Sequence, residues 1–360
     1  MAFRGLSPRF GRKFLGIIAL AIIFYNEFLV YKIQSFSWKS IPCQSGNCTR
    51  ILLVADPQLI GETFDTAFYN PIAIYDSDRY LKKTFREVLD HTRPQIIPFL
   101  GDLFDEGSVA TNDEYSAYLR RFHHIFHTDS SIMKIYVPGD NDIGGENGEI
   151  VTPTKLNRFR STFHTRHTYS RHNLHFFEAN RITREIPQPS TPPEPPYSAQ
   201  KRFVVSHMSL LFYNDAFQER VLHYVKPHVI FTGHLHRSLF IRKSLKFTEF
   251  TRAHPLNANA ERHIVNSFDL RESHETFLEI MVPTCSYRMG ERNIGFGYAV
   301  VDGDDLLYTV LWSVDRFSQL FLYLIYLLIC FILLTMKLIF TCSIFATKKL
   351  QRLRITYTKV

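Results

Sequence analysis

Cysteine is scarce: Cys43, Cys48, Cys285, Cys330 and Cys342 are the five in 360 residues. That excludes a small disulfide-dense scaffold. Internal repeats are lacking, which excludes solenoids and propellers. Low complexity is confined to residues 187–196, with six prolines (Pro187, Pro189, Pro192, Pro193, Pro195, Pro196), an extended surface excursion by composition. Charged residues make up 21% against 45% hydrophobic, so wholesale disorder is excluded. A net charge of +8 would suit nucleic acid, but much of the excess flanks apolar runs at the two ends. No nucleic-acid role is assigned.

The ends read as membrane segments. Phe14–Tyr25 is a continuous apolar run, interrupted by Asn26 and Glu27 and resumed over Phe28–Tyr31, with Arg4, Arg9, Arg12 and Lys13 ahead of it. Phe317–Met336 is 20 residues without a charge, and Lys348, Lys349, Arg352, Arg354 and Lys359 follow. Both lengths suit a bilayer span, and the positive-inside rule puts both basic flanks in the cytosol. The expected organisation is a cytosolic tail (1–13), a transmembrane helix (14–34), a lumenal linker (35–50), a lumenal domain (51–315), a second transmembrane helix (317–340) and a cytosolic tail (341–360). A cleaved signal peptide is the alternative for the first run, although no small-residue cleavage site follows Tyr31. Asn47-Cys48-Thr49 is a glycosylation sequon usable on the lumenal side. There Cys43 and Cys48 either pair or stay as free thiols.

Between these ends, short apolar runs stop abruptly at polar clusters. Ile51–Ala55 ends at Asp56, Ile96–Leu100 at Gly101-Asp102, and Ile132–Val137 at Pro138-Gly139-Asp140. Phe203–Ser206 ends at His207, and Val229–Thr232 at Gly233-His234. Buried strands read this way. Helical stripes separate several of them: Leu81, Phe85, Val88 and Leu89 within 76–93, and Phe217, Val221, Leu222 and Val225 within 214–226. Thr111 and Glu114 form a capping box ahead of Tyr115, Leu119, Phe122 and Phe126. The alternation predicts an α/β fold with helices packed over sheets, and ligands in such folds bind beyond the carboxyl ends of strands.

Carboxylates, imidazoles and amides gather at those ends: Asp56-Pro57-Gln58, Asp102, Asp140-Asn141-Asp142, His207 and His234-Leu235-His236. They are borderline-to-hard ligands suited to manganese, iron or zinc, and no thiol joins them. Two cations about 3.5–4 Å apart can clamp both oxygens of a phosphoryl transfer. Of sixteen histidines only these three belong to such a motif.

The order of motifs resembles the calcineurin-like metallophosphoesterase superfamily, whose pattern is D-x-H, GD-x-x-D, GNH-[DE], a lone His and GH-x-H. The likeness runs from about Ile51 to Val314, and is closest to the metallophosphoesterase 1 branch in Phe99–Gly107, Gly139–Gly144, Phe231–Ser238 and Val282–Arg288. It implies a β-sandwich flanked by helices (four layers) and two divalent ions, manganese by analogy. One ion would take Asp56, Asp102 and His236, with Gln58 where the superfamily has His; the other would take Asp102, Asp140, His207 and His234. It also implies removal of ethanolamine phosphate from a mannose of GPI anchors, in a multi-pass membrane protein of the early secretory pathway (ER exit sites, ER–Golgi intermediate, Golgi). GPI-anchored protein glycans would be the substrate and cargo receptors the companions.

Two departures matter. Gln58 coordinates more weakly than an imidazole. Asp140-Asn141 replaces the usual Asn-His pair, so Asp140 adds a negative charge while Asn141, at the position of the usual general acid, has no proton to transfer. General acid help is worth about 10²–10⁴-fold. A weakened phosphoesterase fold used for binding or trafficking, and a phosphatase or nucleotidase with another substrate, are the alternatives.

Overall fold

A strand buried on both faces must be apolar on both, and β1 (Thr49–Leu53) shows what each face meets. Ile51 and Leu53 point into a core shared with Phe176, Phe203, Phe231 and Ile280 of a second sheet. In the computed structural model, residues 8–62, 67–146, 148–186, 200–244, 252–257, 262–271 and 276–357 are described. The proline stretch 187–196 lies outside the described residues.

Among the described residues two sheets form, with order β10-β13-β12-β1-β2-β3 and β4-β5-β6-β7-β11-β8-β9. The first contains β1, β2 (Ile96–Phe99), β3 (Met133–Tyr136), β10 (Asn266–Asp269), β12 (Gly295–Asp302) and β13 (Asp305–Trp312). The second contains β4 (Thr168–Arg171), β5 (Leu174–Glu178), β6 (Lys201–Val205), β7 (Val229–Thr232), β8 (Leu239–Ser244), β9 (His254–Pro255) and β11 (Thr276–Met281). Strands β1, β2 and β3 pair in parallel, as do β5, β6, β7 and β11. The hairpin β12–β13 turns at Gly303, whose φ of +64° suits glycine. Its Asp302-Gly303 dipeptide is a hairpin signal in the sequence.

Helices cover the outer faces. On the first sheet, Phe99 packs on Phe122 and Phe126 of the segment that begins as α4 (Asn112–Ile125). Tyr136 meets Phe163 of α6 (Pro153–Phe163). On the second, Val204 and Ile230 pack with Phe217, Val221 and Leu222 of α7 (Ala216–Val225). The layers are therefore helix, sheet, sheet, helix, as the sequence reading expects. The capping box of α4 is present, with Glu114 N–H donating to Thr111 Oγ1 and Thr111 N–H to Glu114 Oε2. The third helix, α3 (Asn70–Thr92), begins six residues before the stripe of 76–93 predicts, with Pro71 in its first turn, where a missing N–H costs nothing. Cys43 and Cys48 form a disulfide with Cα atoms 5.8 Å apart.

The chain divides into a unit from Tyr31 to Val314 and a unit of the two ends. In the latter, α1 (Pro8–Phe24) runs through a π-turn, Tyr25–Leu29, towards α2 (Val30–Phe36), while α8 (Arg316–Tyr357) is one continuous helix. Lys13–Phe36 and Arg316–Leu350 are long and apolar enough to cross a membrane. Asn26 and Glu27, which interrupt the first apolar run, are buried by a polar network within this unit. Arg316 Nη2 lies 3.2 Å from Glu27 Oε1, Tyr323 donates to the same oxygen at 2.9 Å, and Asn26 Nδ2 donates to the Gln319 carbonyl at 2.9 Å. Paired this way, the acid and base satisfy each other where hydrocarbon would satisfy neither.

Candidate metal centre

Parallel pairing aligns the carboxyl ends of β1, β2 and β3 in the first sheet and of β6 and β7 in the second, and the polar clusters follow those ends. The loops after β1 and β2 run side by side: Gln58 N–H donates to the Asp102 carbonyl (2.9 Å), Leu59 N–H to Leu103 O (3.1 Å), and Asp105 N–H back to Leu59 O (3.0 Å). Asp56, Gln58, Asp102, His234 and His236 all have positive φ, between +39° and +67°. Non-glycine residues rarely sit there, and each costs of order 1 kcal/mol, held by the surrounding fold. Gly101, at φ +93°, leaves room for His207: a Cβ there would lie 2.4 Å from its Nδ1.

The predicted residues come together in two groups. Ligand atoms of Asp56, Asp102 and His236 lie within 4.8 Å of one another, as do those of Asp140, His207 and His234. His207 Nε2 stands 2.9 Å from Asp140 Oδ1 and 3.4 Å from Asp102 Oδ1, so Asp102 lies between the groups. Gln58 joins the first: its Nε2 lies 2.9 Å from Asp102 Oδ2 and 3.3 Å from His236 Nε2. An amide flip would present its oxygen there instead. Asn141 sits against Asp102, not in open space, donating from N and Nδ2 to the two carboxyl oxygens at 3.0 Å each.

The donor set fits divalent cations. The Nδ1–H of His207 donates to the Leu100 carbonyl at 2.8 Å, which leaves a lone pair at Nε2. The Nε2–H of His234 faces Glu146 Oε1 at 3.2 Å, which leaves a lone pair at Nδ1. Those two nitrogens are 3.2 Å apart and both face Asp140 Oδ1. Three lone-pair donors converge on one point, an arrangement a bound cation resolves.

The electrostatics agree. Burial pushes Asp56 up to about 7 and raises Asp102, with His207 pulling both back. Burial works against Asp140 as well, but the two imidazoles beside it, His207 and His234, outweigh it and hold its carboxyl well below the usual range. Burial opposes charge on His207, yet Asp102, Asp140 and Asp56 raise it well above an ordinary imidazole. His236 falls to about 4 through burial and the repulsion of its two fellow histidines. Three carboxyls in a buried cleft with only imidazoles opposite favour divalent cations.

Supporting residues are of two kinds. Asp142, the last acid of the Asp140-Asn141-Asp142 cluster, accepts from Gly139 N at 2.9 Å and from Leu103 N and Phe104 N at 3.1 Å, tying the second and third loops together. Glu279, Thr284 and Glu146 were not legible as site residues. Glu279 is fully buried on β11 and accepts from Leu211 N (2.6 Å) and Thr232 Oγ1 (2.8 Å), fixing the loop after His207. Its one signal is an acid inside the apolar run Thr276–Met281. Thr284 Oγ1 donates to the Asp56 carbonyl at 2.7 Å. Arg288 and Arg292 are exposed.

The chain is similar to several known proteins. Metallophosphoesterase 1 of Ailuropoda melanoleuca is 25% identical over 177 residues, 48% of this chain and 44% of that protein. The Drosophila melanogaster metallophosphoesterase 1 homolog is 25% identical over 180 residues, 47% and 45% respectively. The chain thus aligns with less than half the length of these curated relatives. Among solved structures, a purple acid phosphatase, PPD1 from yellow lupin, matches at 14% identity and TM-score 0.44, over 75% of this chain and 52% of that one. The calcineurin-like phosphoesterase family model matches residues 49–238, more than half of the chain, and this protein belongs to that family.

Proposed function

We propose that this protein is a membrane-anchored, metal-dependent phosphoesterase that releases ethanolamine phosphate from a mannose of GPI anchors in the lumen of the early secretory pathway. The observation that carries the chemistry is the pair of ligand groups, Asp56–Asp102–His236 and Asp140–His207–His234, side by side with Asp102 Oδ1 3.4 Å from His207 Nε2. The similarity to metallophosphoesterase 1 proteins and the two apolar terminal helices support the substrate and the setting. Manganese is the metal of this reading, GPI-anchored proteins are the substrates, and cargo receptors for them are the companions.

Two bound divalent ions would polarise phosphoryl oxygens and make water acidic enough to attack phosphorus. The chain supplies the rest. Asp56, Gln58, Asp102 and His236 would hold one ion, and Asp102, Asp140, His207 and His234 the other. The Leu100 carbonyl keeps the His207 proton on Nδ1, and Glu146 keeps that of His234 on Nε2. Asn141 can donate a hydrogen bond but no proton, so protonation of the leaving oxygen falls to another donor.

Manganese-dependent hydrolysis of an aryl phosphate by the full-length protein in detergent tests the chemistry, with Asp102→Asn as control. Activity indifferent to that substitution defeats it. Mass spectrometry of GPI glycans from cells lacking the protein tests the substrate: retained ethanolamine phosphate is expected, and an unchanged glycan points to a phosphatase or nucleotidase role.

The amide at Asn141, held against Asp102, favours a second reading: a weakened site kept for binding or trafficking. A natural protein with full turnover excludes it.

A further inference from the structure

The unit from Tyr31 to Val314 is entered and left beside one residue, Tyr80 of α3. Its hydroxyl donates to the Val314 carbonyl at 2.7 Å, and its ring packs 6.2 Å from that of Tyr31. From Tyr31 onward the chain follows α3 towards its C-terminus: Lys83 lies over the Tyr31 ring, Lys32 pairs with Glu87, and Trp38 packs on His91. Tyr31 and Val314, the first and last residues of this unit, thus both lie against the middle of α3. The apolar run Lys13–Phe36 passes through the first of these points, and Arg316–Leu350 starts two residues after the second.

Those first turns carry a patch that the domain leaves uncovered. Phe68 is 95% exposed, Ile72 72%, Tyr75 67% and Tyr69 49%. Positions 72 and 75 share one face of α3, Phe68 lies in the turn just ahead of it, and Tyr75 is about 7.5 Å along the axis from Tyr80. The nearby acids are turned elsewhere: Asp76 accepts from Tyr287 and Asp78 forms a two-pronged pair with Arg121. Exposed aromatic and branched side chains on a helix whose Asp76 and Asp78 are engaged elsewhere suit the headgroup–acyl boundary of a bilayer. The patch also adjoins the metal centre. Tyr287 lies in the loop whose Thr284 holds Asp56, and Asn70 Nδ2 donates to the Gly61 carbonyl in the loop that follows Gln58.

We infer that Phe68, Tyr69, Ile72 and Tyr75 insert into the bilayer surface and seat the metal centre over a lipid-linked phosphate ester. The inference rests on the membrane reading of the terminal helices and deepens the proposed function by placing its substrate at the lipid surface.

The full-length protein in phosphatidylcholine nanodiscs carrying brominated lipid tests it. Native Trp38 and Trp312 are buried, and the wild-type signal is subtracted. Emission from Phe68→Trp and Tyr75→Trp is expected to be quenched several-fold more than from Tyr224→Trp, whose exposed position lies on α7. The Phe68→Ser/Ile72→Ser/Tyr75→Ser protein is expected to keep hydrolysis of a soluble aryl phosphate and to lose about tenfold on a lipid-anchored phosphate in the disc. Reporters quenched no more than Tyr224→Trp, in a protein that resists carbonate extraction, overturn the inference and leave the membrane reading standing. Extraction by carbonate overturns both. Self-association that the triple substitution abolishes, without lipid quenching, assigns the patch to a second copy and also overturns it.

Discussion

The Nδ2 of Asn141 donates to Oδ2 of Asp102 at 3.0 Å, while the Asn141 backbone N–H donates to Oδ1 at 3.0 Å. One residue thus grips both oxygens of the carboxyl that stands between the two ligand groups. The side chain that in the wider family supplies a proton here orients an acid instead.

That difference predicts a dependence on leaving group. Asn141→His should raise hydrolysis of an alkyl phosphate by about 10²-fold, the lower end of general acid catalysis. It should change p-nitrophenyl phosphate hydrolysis little, because nitrophenolate leaves without a proton. Equal effects on both substrates, read from initial rates, would show that the gain has another origin.

Metal and fold should be linked. Ligands that bind only the folded state raise its melting temperature, so manganese should stabilise the protein in detergent by several degrees. A Cβ at Gly139 would fall 2.1 Å from Asp102 Oδ1. Gly139→Ala should therefore displace that carboxyl and abolish the metal-induced rise. Far-ultraviolet circular dichroism checks that the fold survives, and a full rise in the variant contradicts the assignment.

Glu178, at the end of β5, gives a pH prediction outside the metal centre. Burial pushes it up to about 8, against the pull of Arg160. The folded state then keeps a proton that the unfolded chain releases near its ordinary value of 4.5. Its contribution favours folding at low pH and is lost as pH rises from about 4.5 to about 8, a few kcal/mol in all. Glu178→Gln should flatten that decline in melting temperature, whereas parallel slopes in the two proteins would refute it.

The terminal helices carry their own test. Glu27→Ala leaves Arg316 without the carboxylate now 3.2 Å away. Breaking a buried pair costs about 3–5 kcal/mol, while replacing both partners by apolar groups is often close to neutral. Glu27→Ala should lower thermal stability in micelles, and Glu27→Met/Arg316→Met should recover most of it. A double variant as unstable as the single one would count against the pair.

Much of this protein is written locally. Apolar runs ending at Asp56, Asp102, Asp140, His207 and His234 mark buried strands and their functional ends. Thr111 and Glu114 announce a helix start, and the two uncharged terminal runs announce candidate spans. Such signals depend on periodicity and on neighbours a few residues apart, so they are legible without a fold. Tertiary structure alone decided the rest. It set the positive φ of Asp56, Asp102, His234 and His236, and it chose the His207 tautomer through the Leu100 carbonyl 107 residues away. It matched Glu27 to Arg316 across 289 positions, turned Asn141 onto Asp102, and left Phe68, Ile72 and Tyr75 facing outward. These depend on which distant segments become neighbours, and strand order and packing determine that, not local propensity.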